Sequence, residues 1–383
     1  MTLHVRVAAI FLAALPISTA FTNVMLLLLV LSALAQGKPM RQVIVGRLQT
    51  KFALFSMLFV AWNALSLLWS QDVAAGVEGL KAQRLLLLPL FWPYGGSATW
   101  RFGLLLGTAL AGVASVLAVA GLVLPGVEVF DGRVVPFQHP IVLGVLCAAG
   151  LVLALDGWGM ASPRQRLMIA AAAVLTLCAL LLSGSRTGLL ATLAAVPISL
   201  VTVHRRVRIA VLAAAALAVP VGLWQYDLLQ ERWSDAWQEL GQWRESPETS
   251  VGWRVAALRA GWDVGTQRPW TGQGYGGVRS AVPVDHPVRA QSERFASDRE
   301  GPLNLHNSWA NAFARTGVVG VVLLLGLCGS AVLMVLRSDS IHQSSGLGLL
   351  AVWGVLGFFD AGLGTGVTLA ILALALAARS SLK

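Results

Sequence analysis

Charge is scarce in this chain. Only 12% of its 383 residues are Asp, Glu, Lys or Arg, about half the share expected of a soluble domain. That poverty, with a mean hydropathy of +0.72, excludes an ordinary water-soluble fold. Cysteine is nearly missing too. Cys147, Cys178 and Cys328 all lie in apolar runs, with no C-x-x-C spacing and no neighbouring histidine. Neither a zinc site nor a disulfide framework is therefore expected. No basic stripe interleaves with stacking aromatics, so the formal net charge of +10 does not point to nucleic acid.

What the chain has in quantity is apolar runs of about 16–25 residues, long enough to cross a hydrocarbon core of roughly 30 Å. They cover about 6–21, 23–36, 50–69, 80–95, 101–124, 139–156, 166–183, 186–203, 207–224, 308–336, 345–360 and 362–379. The expected fold is an all-α integral membrane protein of about twelve spanning helices. The first two runs are short enough to form a hairpin through Pro16 to Asn23. The N-terminal run follows His4 and Arg6 and is read as a retained first helix, since no small-residue cleavage site follows it. Three regions result: 1–224 with nine spans, 225–307 as one large outward loop, and 308–383 with three spans.

Basic residues orient the threading. With the N-terminus in the cytoplasm, fourteen of the 28 Lys and Arg fall on the inner side, from Arg6 and Lys38 through Arg205 and Arg206 to Lys383. The short outer connections hold four: Lys81, Arg84, Arg133 and Arg186. The rest are Arg315 and nine arginines of the large loop. In that loop Trp233, Trp237 and Leu240 recur at helical spacing, as do Val251, Val255, Leu258 and Trp262, with Ser250 as a candidate cap. Seven of fourteen tryptophans lie between Trp224 and Trp270, which suits helices resting on a membrane surface. A turn is expected over Gly272 to Gly277.

The four outer cations break the charge bias. Lys81 and Arg84 stand three apart and share a helix face. Arg133 lies in Asp131-Gly132-Arg133. Arg186 sits in Ser183-Gly184-Ser185-Arg186-Thr187-Gly188, a tight connection of small residues that leaves a long side chain little room. Cations converging at membrane depth suit a phosphate or diphosphate; snorkelling to headgroups is the plain alternative. His139, at the start of the sixth run, and His306, where the large loop re-enters the membrane, stand on the same side. An imidazole there can take a proton from a sugar hydroxyl, although a histidine at a helix start also serves as a purely structural group. Asp72, Glu78, Glu128 and Asp131 in the short outer loops show no metal-ligand pairing.

Taken in order, the Ser-Arg-Thr-Gly turn at 185–188, Gly252-Trp253-Arg254, Arg268-Pro269-Trp270-Thr271-Gly272-Gln273-Gly274, His306-Asn307-Ser308-Trp309 and Gly317-Val318-Val319-Gly320 resemble the O-antigen ligase and polymerase superfamily of bacterial envelope glycosyltransferases. The resemblance is specific over about 183–320. It implies a metal-independent, cofactor-free inverting transferase of the inner membrane, multi-pass, with cytoplasmic termini and a periplasmic site. Its donor would be a glycan on undecaprenyl diphosphate and its acceptor lipid A–core oligosaccharide, among membrane lipids. By the family's motifs Arg186 and Arg254 would hold the diphosphate and His306 would be the base or the group that orients the acceptor. On their outer placement alone, Lys81 and Arg84 would complete the diphosphate site, with His139 and Arg133 assisting. The alternatives are a polysaccharide polymerase or protein O-oligosaccharyltransferase of the same superfamily, or a lipid-linked sugar flippase.

Overall fold

The computed structural model describes residues 2–93, 100–130, 133–159, 161–201, 239–241, 249–290, 302–337 and 340–359. The expected spans over 207–224 and 362–379, and the helix around Trp233 and Trp237, lie outside the described residues.

Local chemistry sets where the helices begin. Ser18 starts α2 (Thr19–Leu34), Thr50 starts α4 (Lys51–Leu65) and Asp72 starts α5 (Val73–Gln83), each side chain accepting from a backbone N–H of the first turn. Such caps satisfy donors that a helix N-terminus leaves open. Ser162 and Gln165 form a reciprocal capping box at α8 (Pro163–Leu182). Ser185 caps α9 (Arg186–Leu200), and Thr249, not Ser250, caps α10 (Ser250–Gln267). Asn307 caps α11 (Ser308–Leu336), which is followed by α12 (Ser340–Phe359).

Among the described residues five helical stretches are long and apolar enough to cross a membrane. They are Lys51–Trp69, α6 (Arg101–Val119), α7 (Pro140–Trp158), α8 and α11. A sixth arises if α2 and α3 (Lys38–Leu48), bent by 107°, are one broken span. α1 (Leu3–Ala14), α9 and α12 are apolar but shorter. α7 is the most enclosed, with small residues at many contacts. A Cβ on Gly103 or Gly107 of α6 would strike the backbone of Ala9 or Ala13 of α1, and one on Gly112 would strike that of Leu175 of α8. Small residues at this spacing let helices meet closely in lipid, where burying apolar surface gives no advantage.

Contacts between helix ends pair residues that the threading puts on one side. His4 of α1 meets Ser32 of α2 at 2.8 Å, and Arg47 donates to the carbonyls of Pro89, Leu90 and Trp92. At the same end a buried ion pair joins Arg101 of α6 to Asp156 of α7, whose other carboxylate oxygen accepts from Ser345 of α12 at 2.8 Å. Asp156 pairs with this first part of α12 while Val152 meets Gly348, so α7 and α12 run antiparallel. Gly144 meets Gly188, and Ala195 and Ser199 also meet Gly348, so α7 and α9 run in one direction.

Several expectations need correction. The run over 80–95 is not one continuous span. α5 starts earlier, at its Asp72 cap, and from Arg84 to Phe91 the chain tightens into a 3-10 helix containing Pro89, a residue that lacks a donor and crowds the preceding turn. The link after the second run is largely helical, as α3. The all-α reading must admit one antiparallel hairpin, β1 (Val127–Phe130) with β2 (Arg133–Pro136); β-branched residues on either side of Asp131-Gly132 carry that signal. In α10 the buried face is Trp253, Ala256, Ala257, Ala260 and Val264, while Leu258 and Trp262 of the expected stripe are 48% and 59% exposed. Finally, α11 is not straight. Its 29 residues would reach about 43 Å, well over a core of roughly 30 Å. The helix breaks at Gly317, where φ is 68° and ψ is −165°.

Candidate functional site

The sequence-selected residues fall at the end of the bundle opposite the Arg101–Asp156 pair. Three of them lie around the first turns of α7 and α9. The turn Ser183-Gly184-Ser185 folds tightly because Gly184 takes a φ of 61° and Ser185 Oγ accepts from Gly188 N at 3.1 Å. Gly188 then approaches Gly144 so closely that a Cβ would stand 2.6 Å from the Gly144 Cα. Ser183 and Ser185 are buried. Arg186 follows as the first residue of α9 and is exposed. It is not enclosed, as the crowding of small residues had suggested: that crowding leaves outward as the direction open to a long side chain. Arg186 stands at the positive end of the α9 dipole.

His139 is exposed and caps α7, its Nδ1 accepting from Ile141 N at 3.4 Å, which gives it a structural duty. Arg133 begins β2, which packs on α6 and α8 beside the Ser183 turn.

The others belong to α5, α10 and the segment before α11. Lys81 is ion-paired with Glu78 on the exposed face of α5. Arg84 donates to Asn23 Oδ1 at 3.3 Å. One turn from Asn23 on α2, Thr19 accepts from Gln138 at 3.3 Å. The start of α2 thus links the Arg84 neighbourhood to that of His139. Arg254 is half-buried on α10. The adjoining Trp253 belongs to an apolar cluster with Leu303, Leu305, Ala310 and Ala314.

His306 is half-buried, between Leu305 and the Asn307 cap. Its φ of 50° is the left-handed region, which costs a non-glycine residue about 1–3 kcal/mol. The surroundings hold it there. His306 N donates to Asn304 Oδ1 at 2.9 Å, Leu305 N to Asn311 Oδ1 at 3.2 Å, and Asn307 Nδ2 to the Phe358 carbonyl at 2.9 Å. The Phe358 bond ties the His306 segment to the last turn of α12. Because α12 runs antiparallel to α7 and α9, that turn is at the end where α9 begins with Arg186.

The turn over Gly272–Gly277 docks beneath this segment. Gly272 and Gly274 take φ of 63° and 83°, and Cβ atoms on them would strike Arg315 and Ser70. Gln273 N bonds the Ala314 carbonyl at 3.0 Å and Val318 N the Pro269 carbonyl at 2.7 Å. Sequence reasoning missed the residues that this docking buries. Arg315, 8% exposed, lies over the Tyr275 ring at 4.9 Å. Tyr275 Oη accepts from Gln83 at 2.8 Å, and Gln83 Oε1 accepts from Asn63 at 3.2 Å. A cation inside an apolar run was the available signal. A cavity of about 260 Å³ opens at the other end of the bundle, among Arg47, Thr50, Ser56, Leu86, Pro89 and Met334; none of the candidate residues lines it.

Nearby, His286 is buried, its Nδ1 accepting from Val288 N at 3.2 Å and its Nε2 3.8 Å from Asp263. Burial lowers its pKa below the usual 6.5, against the opposing pull of Asp263 and Asp285 and with help from Arg259. The unfolded loop therefore binds this proton more readily than the folded one. The resulting stability is complete above about pH 6.5 and is lost as pH falls below it. Hydrogen-exchange protection over 278–290, taken relative to the intrinsic amide rate at each pH, should fall between pH 7 and pH 5. In His286→Asn, which keeps an acceptor for Val288 N, that loss of protection should shrink.

The architecture and site are those of a multi-pass membrane protein with a cation-and-imidazole surface at one end. Residues 171–325 match the family model for O-antigen ligase, a segment that carries Arg186, Arg254, His306 and Gly317. Over that segment the chain is similar to the O-antigen ligase family. No curated protein matches the chain.

Proposed function

We propose that the chain transfers O-antigen glycan from undecaprenyl diphosphate to lipid A–core oligosaccharide at the periplasmic face of the inner membrane. One observation carries the proposal: the Asn307–Phe358 bond puts His306 beside the last turn of α12, at the end where α9 presents Arg186.

The chemistry follows from leaving-group ability. Attack by an acceptor hydroxyl on the anomeric carbon forms one C–O bond as the bond to the diphosphate oxygen breaks, on opposite faces, so the centre inverts. His306 takes the hydroxyl proton, and the electron pair leaves with the diphosphate. Arg186 and Arg254 offset its growing charge, as preorganised cations do most effectively, and arginine matches phosphate oxygens two at a time. Arg84 extends the binding surface. Lys81 contributes less, because Glu78 already neutralises it.

The test is transfer by purified protein in proteoliposomes given undecaprenyl diphosphate-linked glycan. Covalent product on lipid A–core oligosaccharide is the expected result. Product only on a second donor glycan would replace the ligase with a polymerase, and product only on a protein hydroxyl with a protein O-oligosaccharyltransferase. Movement of donor between leaflets with no new glycosidic bond would remove the enzyme.

A further inference from the structure

We infer that Arg315 is a positioning residue for His306, acting through the carbonyl of Leu303; this rests on the role proposed for His306. Arg315 closes the upper part of α11, two residues before the break at Gly317. It is 8% exposed, and among the described residues no carboxylate pairs with it. Burying an arginine without a counter-charge is unfavourable, so an apolar side chain would serve the core better unless the guanidinium has work to do.

Its contacts say what that work is. Nη2 donates to the Leu303 carbonyl at 2.8 Å, while Nε has no partner. Leu303 lies three residues before His306 on an extended segment. That segment gains its remaining order from the Asn304 and Asn311 bonds described above. Arg315 ties it by a hydrogen bond to the far side, because the guanidinium lies over the Tyr275 ring. Through Gln83, Tyr275 is bonded to α5 and then to Asn63 of α4. Gly79 of α5 packs against both Tyr275 and Pro302. Arg315 is thus the joint at which the His306 segment meets α5, the helix that leads directly into Arg84. Removing it frees the segment to drift from the cations, and an imidazole displaced by an ångström loses its reach to the acceptor hydroxyl.

The experiment compares Arg315→Met and Arg315→Lys with wild type in two measurements. One is steady-state transfer. The other is hydrogen exchange at residues 303–306, which needs no catalysis. In Arg315→Met kcat should fall by about tenfold to a hundredfold while KM for the lipid-linked donor stays within about twofold. Exchange at Leu305 and His306 should quicken. Arg315→Lys, which keeps a donor for the Leu303 carbonyl, should regain most of both.

A raised KM with unchanged kcat would make Arg315 a direct ligand of the diphosphate and overturn the inference. Unchanged exchange in Arg315→Met would overturn it as well. Should Arg315→Met fail to accumulate, Tyr275→Leu removes the platform and leaves the arginine; wild-type rate and exchange in that variant count against the joint. If wild type transfers no glycan, quicker exchange in Arg315→Met still upholds the joint, and the failure belongs to the proposed function.

Discussion

Replacing His306 with asparagine should lower glycan transfer by about 10²–10⁴-fold, the range a general base contributes. Asparagine is the informative choice because the backbone here sits at φ 50°, a conformation it tolerates better than most residues. Alanine would mix strain with lost chemistry. The donor should still bind, since Arg186 and Arg254 remain, so KM should move by no more than about threefold while kcat collapses. Steady-state kinetics with defined donor and acceptor check this. A variant within about twofold of the wild-type rate would remove the base from the mechanism and leave the arginines as a binding site only.

Asp156→Ala should be the most destabilising single change away from the site. Arg101 and Asp156 have side chains only 4% and 1% exposed, and their pair joins α6 to α7 while Ser345 brings in α12. Deleting one partner strands the other charge in the bundle, at a cost of about 3–5 kcal/mol. The double variant Arg101→Leu with Asp156→Leu strands no charge, only the Ser345 hydroxyl, and should melt much closer to wild type, because a buried pair is often no better than an apolar replacement. Thermal melting in detergent distinguishes the cases. If the double variant is as weak as the single one, the pair contributes more than mutual neutralisation.

How far the sequence could be read depended on what each residue type says by itself. The apolar runs behind α6, α7 and α8 were plain, because a stretch of nearly twenty apolar residues has few other uses. The Ser183–Ser185 turn was legible from its glycine and serines, and so was the Asn307-capped start of α11. Arg101 and Arg315 were not: Arg101 was counted as a basic residue marking a side of the membrane, Arg315 was left outside that tally with no role, and Asp156 passed unnoticed near the end of an apolar run. A charge tally has no way to see that two such residues neutralise each other. In α10 the pattern of large side chains pointed to Leu258 and Trp262, yet Ala256, Ala257 and Ala260 form the contact face. Alanines carry little hydrophobic signal but permit close approach. The expected span over 80–95 shows the reverse error, since hydropathy registers Pro89 weakly while the helix geometry depends on it. Among the candidate residues, Arg186, Arg254 and His306 were selected through motif order. Tyr275, Gln83 and Asn63 are ordinary polar residues until folding brings them together.

The break at Gly317 separates two mechanical duties within one helix. The length below it, about 28 Å at the usual rise, suits the hydrocarbon thickness and packs through Gly326 on Phe55 of α4 and through Val335 on Gly346 of α12. The portion above is bonded through the Ala314 carbonyl to Gln273 N and carries Arg315 and the Asn307 cap beside His306, while Val318, the first residue below, is bonded to the Pro269 carbonyl. The spanning rod and the docked turn thus meet at one glycine, and the helix reaches the end that holds the imidazole without having to run straight.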